Sequence, residues 1–397
     1  MRVDLEIMGM IKAVLMAGGK GSRIRPLTLS RPKPMIPVAN RPMIEYIVEK
    51  IKESGLSEII VTLSYLKSQI KSLLEKNYPY MNIKYSVEKK PLGTAGGVKK
   101  ASRYIDDTFF VLSGDVLVDV DLKEILSFHK EKKALATMVL TPVPDPSQFG
   151  IAILDNNNQI IQFKEKPSPH QVFSKIANTG TYIFEPEIFD YIDSKKNNEN
   201  HEIDFSKDIF PQLINERAGI YGFVFEGYWN DVGRPKTYLQ ANYDVLNQKI
   251  APEPRGQKMK EGVGKLGNIW IGEGVEIKDK VRIIGPVMIG DGCVIGNNCV
   301  IGRNTVIGSN VCLEKNSNIK GSVLFSDSVI KKASYLKDCI VDSGCIIEQG
   351  SFIERGAILG SKVHLGSYSR VRSERSIYNS TVILPESILD SDYPIVV

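Results

Sequence analysis

The hydrophobic pattern changes its period near residue 265. Upstream, short apolar runs alternate with segments whose apolar residues recur at helical spacing. The runs predict strands at Ala13–Met16, Ile59–Leu63, Lys84–Val87, Phe109–Leu112 and Ala136–Leu140, and the helical segments follow Pro42 and lie near Gln69–Leu74 and Leu122–Lys132. Such alternation predicts an α/β domain with a doubly wound, mostly parallel, Rossmann-like sheet. Ligands of these sheets bind at the carboxyl ends of the strands.

Downstream, aliphatic residues recur every six positions. The repeat runs through Ile271, Ile277, Ile283, Ile289, Ile295, Ile301, Ile307, Leu313 and Ile319, and glycine directly follows many of these residues. A six-residue period predicts a left-handed hexapeptide β-helix with the aliphatic residues inside and three hexads per coil. The register slips between about Leu324 and Val341 and resumes at Ile347, which predicts a loop or corner insertion at the slip.

The segment between the two patterns is polar and contains two prolines and three glycines. We interpret residues 248–265 as a linker between a catalytic domain, 1–247, and a β-helix domain, 266–397.

Composition narrows the class of protein. The 397 residues carry 51 Lys and Arg against 46 Asp and Glu, and the net charge of +5 is spread without a long basic run, so nucleic acid is not an expected partner. No apolar stretch approaches the roughly 20 residues of a membrane span, and the first residues do not resemble a signal peptide, which favours a cytoplasmic location. The five cysteines form no Cys-x-x-Cys pair and are expected to be free, buried thiols.

The loop after the first predicted strand carries the strongest chemical signal. Gly18, Gly19 and Gly21 can bend tightly and present backbone N–H groups, and four cationic side chains follow within one proline-rich segment: Arg23, Arg25, Arg31 and Lys33. This pattern indicates a polyphosphate site. It matches neither a Walker A loop nor the dinucleotide fingerprint. The alternative is a tight strand-to-helix turn with solvated basic residues.

This segment resembles the signature of the sugar nucleotidyltransferases, which join a sugar 1-phosphate to a nucleoside triphosphate and release pyrophosphate. The shared pattern is Gly-Gly-x-Gly-x-Arg-x-x-Pro-Leu-Thr with Pro-Lys-Pro downstream. The segment from Glu88 to Gly97 is most similar to that of mannose-1-phosphate guanylyltransferases, the GDP-mannose pyrophosphorylases. The resemblance extends through the hexapeptide repeats.

Two carboxylates are candidates for a metal site. Asp115 follows a predicted strand, and Asp231 stands in a Trp-x-Asp-x-Gly motif. Two such acids with phosphate oxygens suit Mg²⁺, although a lone Asp is more often a helix cap or turn residue. The resemblance implies that both bind the metal.

The resemblance also implies the remaining site residues. Gly18, Gly19, Arg23 and Lys33 would bind the triphosphate, and Lys166 the sugar phosphate. The sugar would contact Gly150, Glu165 and Asn178, and the nucleotide Glu88, Gly93, Thr94 and Gly96. On a regular strand Glu165 and Lys166 would face opposite ways.

Glu88 bears on the choice of base. A carboxylate accepts from both N1–H and the 2-amino group of guanine, which favours GTP, whereas uracil and thymine present one donor between two acceptors. The alternative is that Glu88 caps its turn or pairs with Lys89 or Lys90.

Other functions stay open. They are a UTP- or dTTP-dependent glucose-1-phosphate nucleotidyltransferase, a bifunctional enzyme that acetylates amino sugars, and a non-catalytic regulatory homologue. The acetyltransferase would need a catalytic histidine, and the surroundings of His364 do not resemble its motif. Open β-helix ends and flat faces favour a homo-oligomer.

Overall fold

The computed structural model describes residues 5–19, 21–195, 202–259 and 264–393, with side chains from residue 8 onward. The chain forms two compact units. Unit 1 comprises Met1–Lys20, Pro32–Met35 and Met43–Asp231, and unit 2 comprises Gly21–Arg31, Ile36–Pro42 and Val232–Val397. Two short pieces of the signature loop therefore belong to unit 2. The predicted boundaries at 247 and 266 follow chain order, which this division does not, and they stay a prediction.

The described residues form eight α-helices. They are α1 (Leu5–Met10), α2 (Met43–Glu53), α3 (Lys67–Asn77), α4 (Gly93–Lys100), α5 (Leu122–Lys132), α6 (Ile188–Asp193), α7 (Phe210–Asn215) and α8 (Pro235–Leu246). Of these, α2, α3 and α5 match the three predicted ones. Short 3-10 helices span Ser22–Ile24, Leu27–Leu29, Lys33–Met35, Ser102–Tyr104 and Pro169–Gln171, and a π-helical turn spans Phe205–Ile209. Helix α2 buries Ile44, Ile47, Val48 and Ile51, the face that the spacing predicts.

The strands before residue 232 belong to one large sheet and two small ones. They are β1 (Lys12–Met16), β2 (Pro37–Val38), β3 (Arg41–Pro42), β4 (Glu58–Leu63), β5 (Asn82–Val87), β6 (Phe109–Ser113), β7 (Val116–Val118), β8 (Ala136–Pro142), β9 (Gly150–Leu154), β10 (Ile160–Glu165), β11 (Ile176–Phe184), β12 (Ile220–Val224) and β13 (Trp229–Asp231). The large sheet has the order β10-β9-β11-β6-β1-β4-β5, and β8 joins β11 to β12.

The large sheet of unit 1 has a parallel half and an antiparallel half. Strand β1 pairs in parallel with β4 and β6, and β4 with β5. Strand β11 pairs antiparallel with β6, β8 and β9. Apolar residues cover both faces: Leu15 of β1 packs in one core with α2, α3 and α5, whereas Val14 packs in the other with α4, α6 and α7. The doubly wound, Rossmann-like prediction is confirmed.

Unit 2 contains a β-helix with three sheet faces. Face 1 comprises Gln257–Lys258, Ile269–Ile271, Val287–Ile289, Thr305–Ile307, Val323–Leu324, Ile340–Val341, Ile358–Leu359 and Ser376–Ile377. Face 2 comprises Lys265–Leu266, Arg282–Ile284, Val300–Ile301, Asn318–Lys320, Tyr335–Lys337, Phe352–Ile353, Arg370–Val371 and Ile388–Leu389. Face 3 comprises Glu276–Ile277, Val294–Ile295, Cys312–Leu313, Val329–Ile330, Ile346–Ile347, His364–Leu365 and Val382–Ile383.

The inward residues of the β-helix are the aliphatic ones that recur every six positions, and they form one continuous core. Parallel pairing of neighbouring coils fits the predicted left-handed hexapeptide β-helix, so this part of the fold prediction is confirmed. Buried aliphatic side chains contribute about 1.5–3 kcal/mol each, which makes this core the main source of stability for the repeats.

The register slip has a different cause from the one predicted. Ile289 pairs with Ile307 at a separation of 18 residues, but Ile307 pairs with Leu324 and Leu324 with Val341, each at 17. The slip therefore reflects two coils that are one residue shorter, and the predicted insertion is wrong. The turn from face 2 to face 1 is the short one, because Ile319 to Leu324 and Leu336 to Val341 each advance five positions rather than six.

All five cysteines are free: Cys293, Cys299, Cys339 and Cys345 are buried and Cys312 is half-buried, which confirms the predicted thiols. Among the described residues, none of the helices has the length and apolar character needed to cross a bilayer. The cytoplasmic location stays a prediction.

Candidate active site

A cleft of about 450 Å³ opens at the carboxyl ends of the parallel strands of unit 1. Its walls come from the residues that directly follow β1, β4, β5 and β6: Gly18 and Gly19, Ser64, Glu88 and Asp115. The first loop, the turn after Val87 and Asp115 therefore meet, as the topology of a doubly wound sheet predicts. Lys33, Gly93, Thr94, Gly97 and Asp204 complete this part of the wall.

Internal packing does not require the two glycines of the first loop. A methyl group at Gly19 would meet no atom within 4 Å, and one at Gly18 would meet only Ser64 and Glu88, at 3.5 and 3.6 Å. These are ordinary contacts. The space beside the backbone therefore faces the cleft, where it permits close approach of a ligand to the loop.

Lys33 joins the two predicted metal ligands. Its Nζ donates to Asp115 Oδ2 at 2.7 Å and to Asp231 Oδ1 at 3.4 Å, and its side chain is only 6% exposed. Asp115 Oδ1 also accepts a hydrogen bond from Ser113 Oγ at 2.8 Å. The carboxylates come together because β13 pairs with β7, which places Asp231 beside Val116 and next to Asp115.

The ionisation of this group follows from its charges. Burial would raise the pKa of Asp115, but the charge of Lys33 and the hydrogen bonds from Lys33 and Ser113 hold it below its ordinary value. Burial would lower the pKa of Lys33, and the two carboxylates more than offset this, so it is raised. At neutral pH the centre contains a charged lysine and an ionised Asp115.

The two carboxylates fit a hard divalent cation in their chemistry. Asp115 lines the cleft, and its carboxylate and that of Asp231 both contact Lys33; Mg²⁺ takes few protein ligands when phosphate oxygens and water supply the others. Within the described residues, no group of three or more His, Cys, Asp or Glu side chains could hold a metal without such help.

Glu88 lines the cleft and takes part in the alternative, the capping of its own turn; its contact with the base stays a prediction. Its Oε2 accepts a hydrogen bond from the Leu92 backbone N–H at 3.3 Å, so it holds the turn before α4. Burial raises the pKa of Glu88, although this hydrogen bond and Lys100 act against the rise. A methyl group at Gly97 would lie 2.7 Å from Glu88 Oε1, so any larger residue at position 97 would crowd the carboxylate.

The first turn of α4 packs against the segment that contains Ile203 and Asp204. Gly93 has a φ of +78°, and a Cβ there would lie 2.3 Å from the Ile203 carbonyl oxygen. That oxygen accepts from the N–H groups of Ala95 and Gly96, and Thr94 Oγ1 donates to Asp204 Oδ2 at 3.0 Å. Gly96 therefore does not line the cleft, whereas its neighbour Gly97 does.

The predicted sugar residues form a second group on β9, β10 and β11. Gly150 pairs with Glu165, and a methyl group at Gly150 would lie 2.4 Å from Phe163 and 2.8 Å from Glu165. Ala177 pairs antiparallel with Ile151, which brings Asn178 beside Gly150. Asn178 Oδ1 accepts from the Gly180 N–H, and its Nδ2 donates to Tyr182 Oη at 2.8 Å.

Lys166 and Glu165 do not face opposite ways. Strand β10 ends at Glu165, and Lys166 takes the left-handed conformation with a φ of 44°. The Lys166 Nζ lies 3.2 Å from Glu165 Oε1, and the lysine side chain is 57% exposed. The turn thus brings an accessible cation beside the acid, which the regular alternation of a strand would not do.

The two groups are linked by a tryptophan that sequence reasoning had not assigned. Trp229 Nε1 donates to the Thr179 carbonyl at 3.1 Å, and its ring packs edge-on against Phe149 at 4.9 Å. Trp229 lies two residues before Asp231. Three further residues line the cleft: Ser113, Glu202 and Asp204. They were not predicted, because no motif in the sequence indicates that they lie there.

Two further residues named in the predictions belong to unit 2. Arg23 belongs to the 3-10 helix Ser22–Ile24 in unit 2, where it is exposed, and its role stays a prediction. His364, on which the acetyltransferase alternative depends, lies on face 3 with Nε2 3.1 Å from Glu348 Oε1.

Comparisons with known proteins identify the family to which this chain belongs. The sequence model described as nucleotidyl transferase matches residues 12–248, and one described as the GMPPB C-terminal domain matches residues 283–394. A UTP–glucose-1-phosphate uridylyltransferase of Synechocystis is 36% identical over 313 residues, which cover 72% of this chain and 79% of that protein.

Two relatives are named for mannose. The mannose-1-phosphate guanyltransferase of Saccharomyces cerevisiae is 36% identical over 269 residues, covering 66% of this chain and 71% of its own. The mannose-1-phosphate guanylyltransferase of Mycobacterium tuberculosis is 33% identical over 307 residues, with coverages of 72% and 82%.

A solved structure is also similar. It is named as a glucose-1-phosphate thymidylyltransferase of Bacillus anthracis in complex with sucrose, with a TM-score of 0.55 and 26% identity over 61% of this chain and 97% of that one. The resemblance seen in the signature loop is thereby confirmed. The chain belongs to the nucleotidyl transferase family, and the relatives it matches are named as enzymes that act on sugar 1-phosphates.

Proposed function

We propose that this enzyme transfers a guanylyl group from GTP to mannose 1-phosphate and releases pyrophosphate. The observation that carries the proposal is that one cleft combines the glycine loop, the half-buried carboxylate of Glu88, and Lys33 with Asp115, and that Lys33 also contacts Asp231. The yeast and mycobacterial relatives named for this reaction support the choice of substrates.

The chemistry is a displacement at phosphorus. An oxygen of the sugar 1-phosphate attacks the α-phosphorus of the triphosphate, a new P–O bond forms, and the bond to the β-phosphate breaks as pyrophosphate leaves. The attacking phosphate is already ionised, so the reaction needs no general base. Positioning and neutralisation of charge would supply the catalysis.

The proposed roles follow from placement. The N–H groups of Gly18 and Gly19 would approach the triphosphate, and Lys166, exposed beside Glu165, would hold the sugar phosphate. Gly150, Glu165 and Asn178 would contact the sugar. Lys33 would keep the two carboxylates together and neutralise phosphate charge, with Arg23 assisting at the triphosphate.

Mg²⁺ is the proposed cofactor, held by Asp115 and Asp231. When bound, the ion would neutralise the phosphate oxygens and help to orient them. Both carboxylates lie within contact distance of one cation, the Lys33 ammonium, which supports their assignment to a shared cation site.

Glu88 would select guanine. A carboxylate accepts from the N1–H and the 2-amino group together, and it would repel the carbonyl oxygens of uracil or thymine. One Glu88 oxygen accepts from the Leu92 N–H, and a carboxylate oxygen has a second lone pair for a ligand. A matched base contact contributes roughly 1–3 kcal/mol, so the preference for GTP should be about tenfold or more.

Initial rates of the wild type and Glu88→Gln with GTP, UTP and dTTP test this assignment. We expect kcat/KM for GTP to fall about tenfold or more in the variant while the values for UTP and dTTP rise, because the amide offers a donor to their carbonyl groups. A variant with unchanged relative rates for the three triphosphates would remove Glu88 from the base site.

A second candidate is uridylyl transfer to glucose 1-phosphate. It is favoured by the Synechocystis relative, which is named for that reaction and aligns over 79% of its length. The two candidates make opposite predictions for the wild type. Comparable use of UTP with glucose 1-phosphate would reject the guanylyl proposal and leave the general reaction in place.

A further inference from the structure

Arg31, in the second part of the signature loop, is held by the β-helix. Its Nη2 donates to Asp342 Oδ1 at 2.7 Å, and its guanidinium carbon lies 4.8 Å from the centre of the Phe325 ring. The Arg31 side chain is 16% exposed and that of Asp342 is fully buried. All three residues belong to unit 2.

The two β-helix residues occupy one position of the repeat. Backbone hydrogen bonds between successive coils define a column of corners that directly follow face 1: Gly272, Gly290, Gly308, Phe325, Asp342, Gly360 and Tyr378. The corner is tight, since a Cβ at Gly290 or Gly308 would lie 2.7 or 2.5 Å from backbone atoms of the next coil. Within this column a side chain replaces glycine at three corners: Phe325 and Asp342, which end the two 17-residue coils, and Tyr378, which follows the last strand of face 1.

Stability alone does not account for this ion pair. Arg31 Nη1 and Asp342 Oδ2 are both buried without a hydrogen-bond partner, so the pair leaves part of its desolvation cost uncompensated. Buried pairs of this kind often contribute no more stability than apolar residues of similar size. The Arg31–Asp342 contact does, however, fix the position of the chain around Arg31.

That chain leads directly to the catalytic centre. Arg31 stands two residues before Lys33, the side chain that joins Asp115 to Asp231. On the other side of Pro32–Met35 the chain is anchored again: Asn40 Nδ2 donates to the Ile307 carbonyl at 2.7 Å, and the Pro37 carbonyl accepts from Tyr238 Oη at 2.6 Å. The segment with Lys33 is therefore bracketed by two anchors in unit 2.

We propose that Asp342 of the β-helix is a positioning residue for nucleotidyl transfer, acting through Arg31 to fix the segment that carries Lys33. The inference rests on the proposed function only in that Lys33 serves the reaction. The β-helix would thus contribute to catalysis without contacting a substrate, through the two shortened coils.

The test compares Asp342→Asn with the wild type in the full-length protein. The variant keeps the shape of the side chain and removes its charge. We expect kcat to fall roughly tenfold or more with smaller changes in KM, because a displaced Lys33 weakens charge neutralisation more than ground-state binding. Hydrogen exchange of the Met35 amide, which bonds to the Pro32 carbonyl, should become faster.

The matched control is Glu354→Gln, which removes a carboxylate that bonds Arg370 elsewhere on the β-helix. It should alter neither kcat nor Met35 exchange. If Asp342→Asn does not fold, Arg31→Lys takes its place; it keeps the charge but loses the planar contact with Phe325, and the same two changes are expected.

A lower melting temperature with wild-type kcat and wild-type Met35 exchange in the folded variant would overturn the proposal. The exchange measurement needs no substrate. The kcat is measured with the triphosphate and the sugar 1-phosphate that the wild type uses best. Rejection of GTP or mannose 1-phosphate would therefore leave this test intact.

Discussion

At the scale of residues, Lys33 is the side chain that joins the carboxylates of Asp115 and Asp231. Sequence reasoning assigned it to the triphosphate, and identified Asp115 and Asp231 separately as metal ligands. Their association could not be predicted, because 82 residues separate Lys33 from Asp115 and 198 separate it from Asp231. The pairing of β7 with β13 brings the two carboxylates together, and the chain of Pro32–Met35 brings Lys33 to them.

Asp115→Asn should lower kcat by roughly two orders of magnitude or more, as removal of one preorganised charged group does in other enzymes. Some loss of stability is also expected, since the variant removes one of the two carboxylates that Lys33 contacts. Initial rates and a melting curve on the same sample separate the two effects.

The control for that variant is Asp106→Asn. Asp106 pairs with Lys12 at 2.6 Å, but its side chain is 79% exposed, so its removal should leave the rate unchanged. Wild-type turnover in Asp115→Asn at a temperature where it is folded would exclude Asp115 from the catalytic centre.

Glu185 gives a prediction for pH. Burial would raise its pKa, but hydrogen bonds from His129, Thr108 and Lys130 lower it to about 2 from an ordinary 4.5. A carboxylate whose pKa is lower in the folded protein stabilises the fold at any pH above its pKa in the unfolded chain. That contribution is lost as the pH falls through the pKa of the folded protein. Glu185→Gln should therefore cost about 2 kcal/mol above pH 4.5, after allowance for partial exposure.

The measurement is urea unfolding of the wild type and Glu185→Gln between pH 7 and pH 2.5. The difference in unfolding free energy should be constant down to about pH 4.5 and shrink below it. A difference that does not change across this range would show that the ionised carboxylate contributes nothing.

At the scale of elements, the start of α4 depends on Gly93. Alanine there would have to adopt a φ of +78° and place its Cβ 2.3 Å from the Ile203 oxygen. We expect Gly93→Ala to lower the free energy of unfolding by about 2 kcal/mol or more. Chemical denaturation measures this directly.

Gly9→Ala is the matched substitution, because a methyl group at Gly9 would meet no atom within 4 Å, and helix α1 tolerates alanine well. It should be neutral or slightly stabilising. Equal stabilities for the two variants would mean that the Ile203 segment moves away from α4 at little cost.

The elements also show where a periodic pattern is informative and where it is not. Each six-residue repeat predicts its own inward residue, so the β-helix core could be assigned position by position. A slip in the same pattern is ambiguous, since one residue lost in each of two coils changes the register as an insertion elsewhere would. The turn at Lys166 could not be predicted either, because a left-handed residue at a strand end has no strong sequence signature unless it is glycine or asparagine.

At the scale of the whole molecule, both halves of the fold could be predicted because each rests on a local period. The cleft could be predicted in outline, because residues that follow parallel strands must share one edge of the sheet. The division of the signature loop between the two units could not, because it depends on contacts such as that of Arg31 with Asp342, across 311 residues. The homo-oligomer stays a prediction.

The central claim is nucleotidyl transfer between a triphosphate and a sugar 1-phosphate. Phosphorus NMR of the purified enzyme with Mg²⁺, GTP and mannose 1-phosphate follows every phosphate at once. If the enzyme transfers a nucleotidyl group, a pyrophosphate diester and free pyrophosphate appear in equal amounts as the sugar phosphate disappears, with no orthophosphate. Release of orthophosphate with the sugar phosphate unchanged, or no reaction with any combination of GTP, UTP or dTTP and mannose or glucose 1-phosphate, would contradict it.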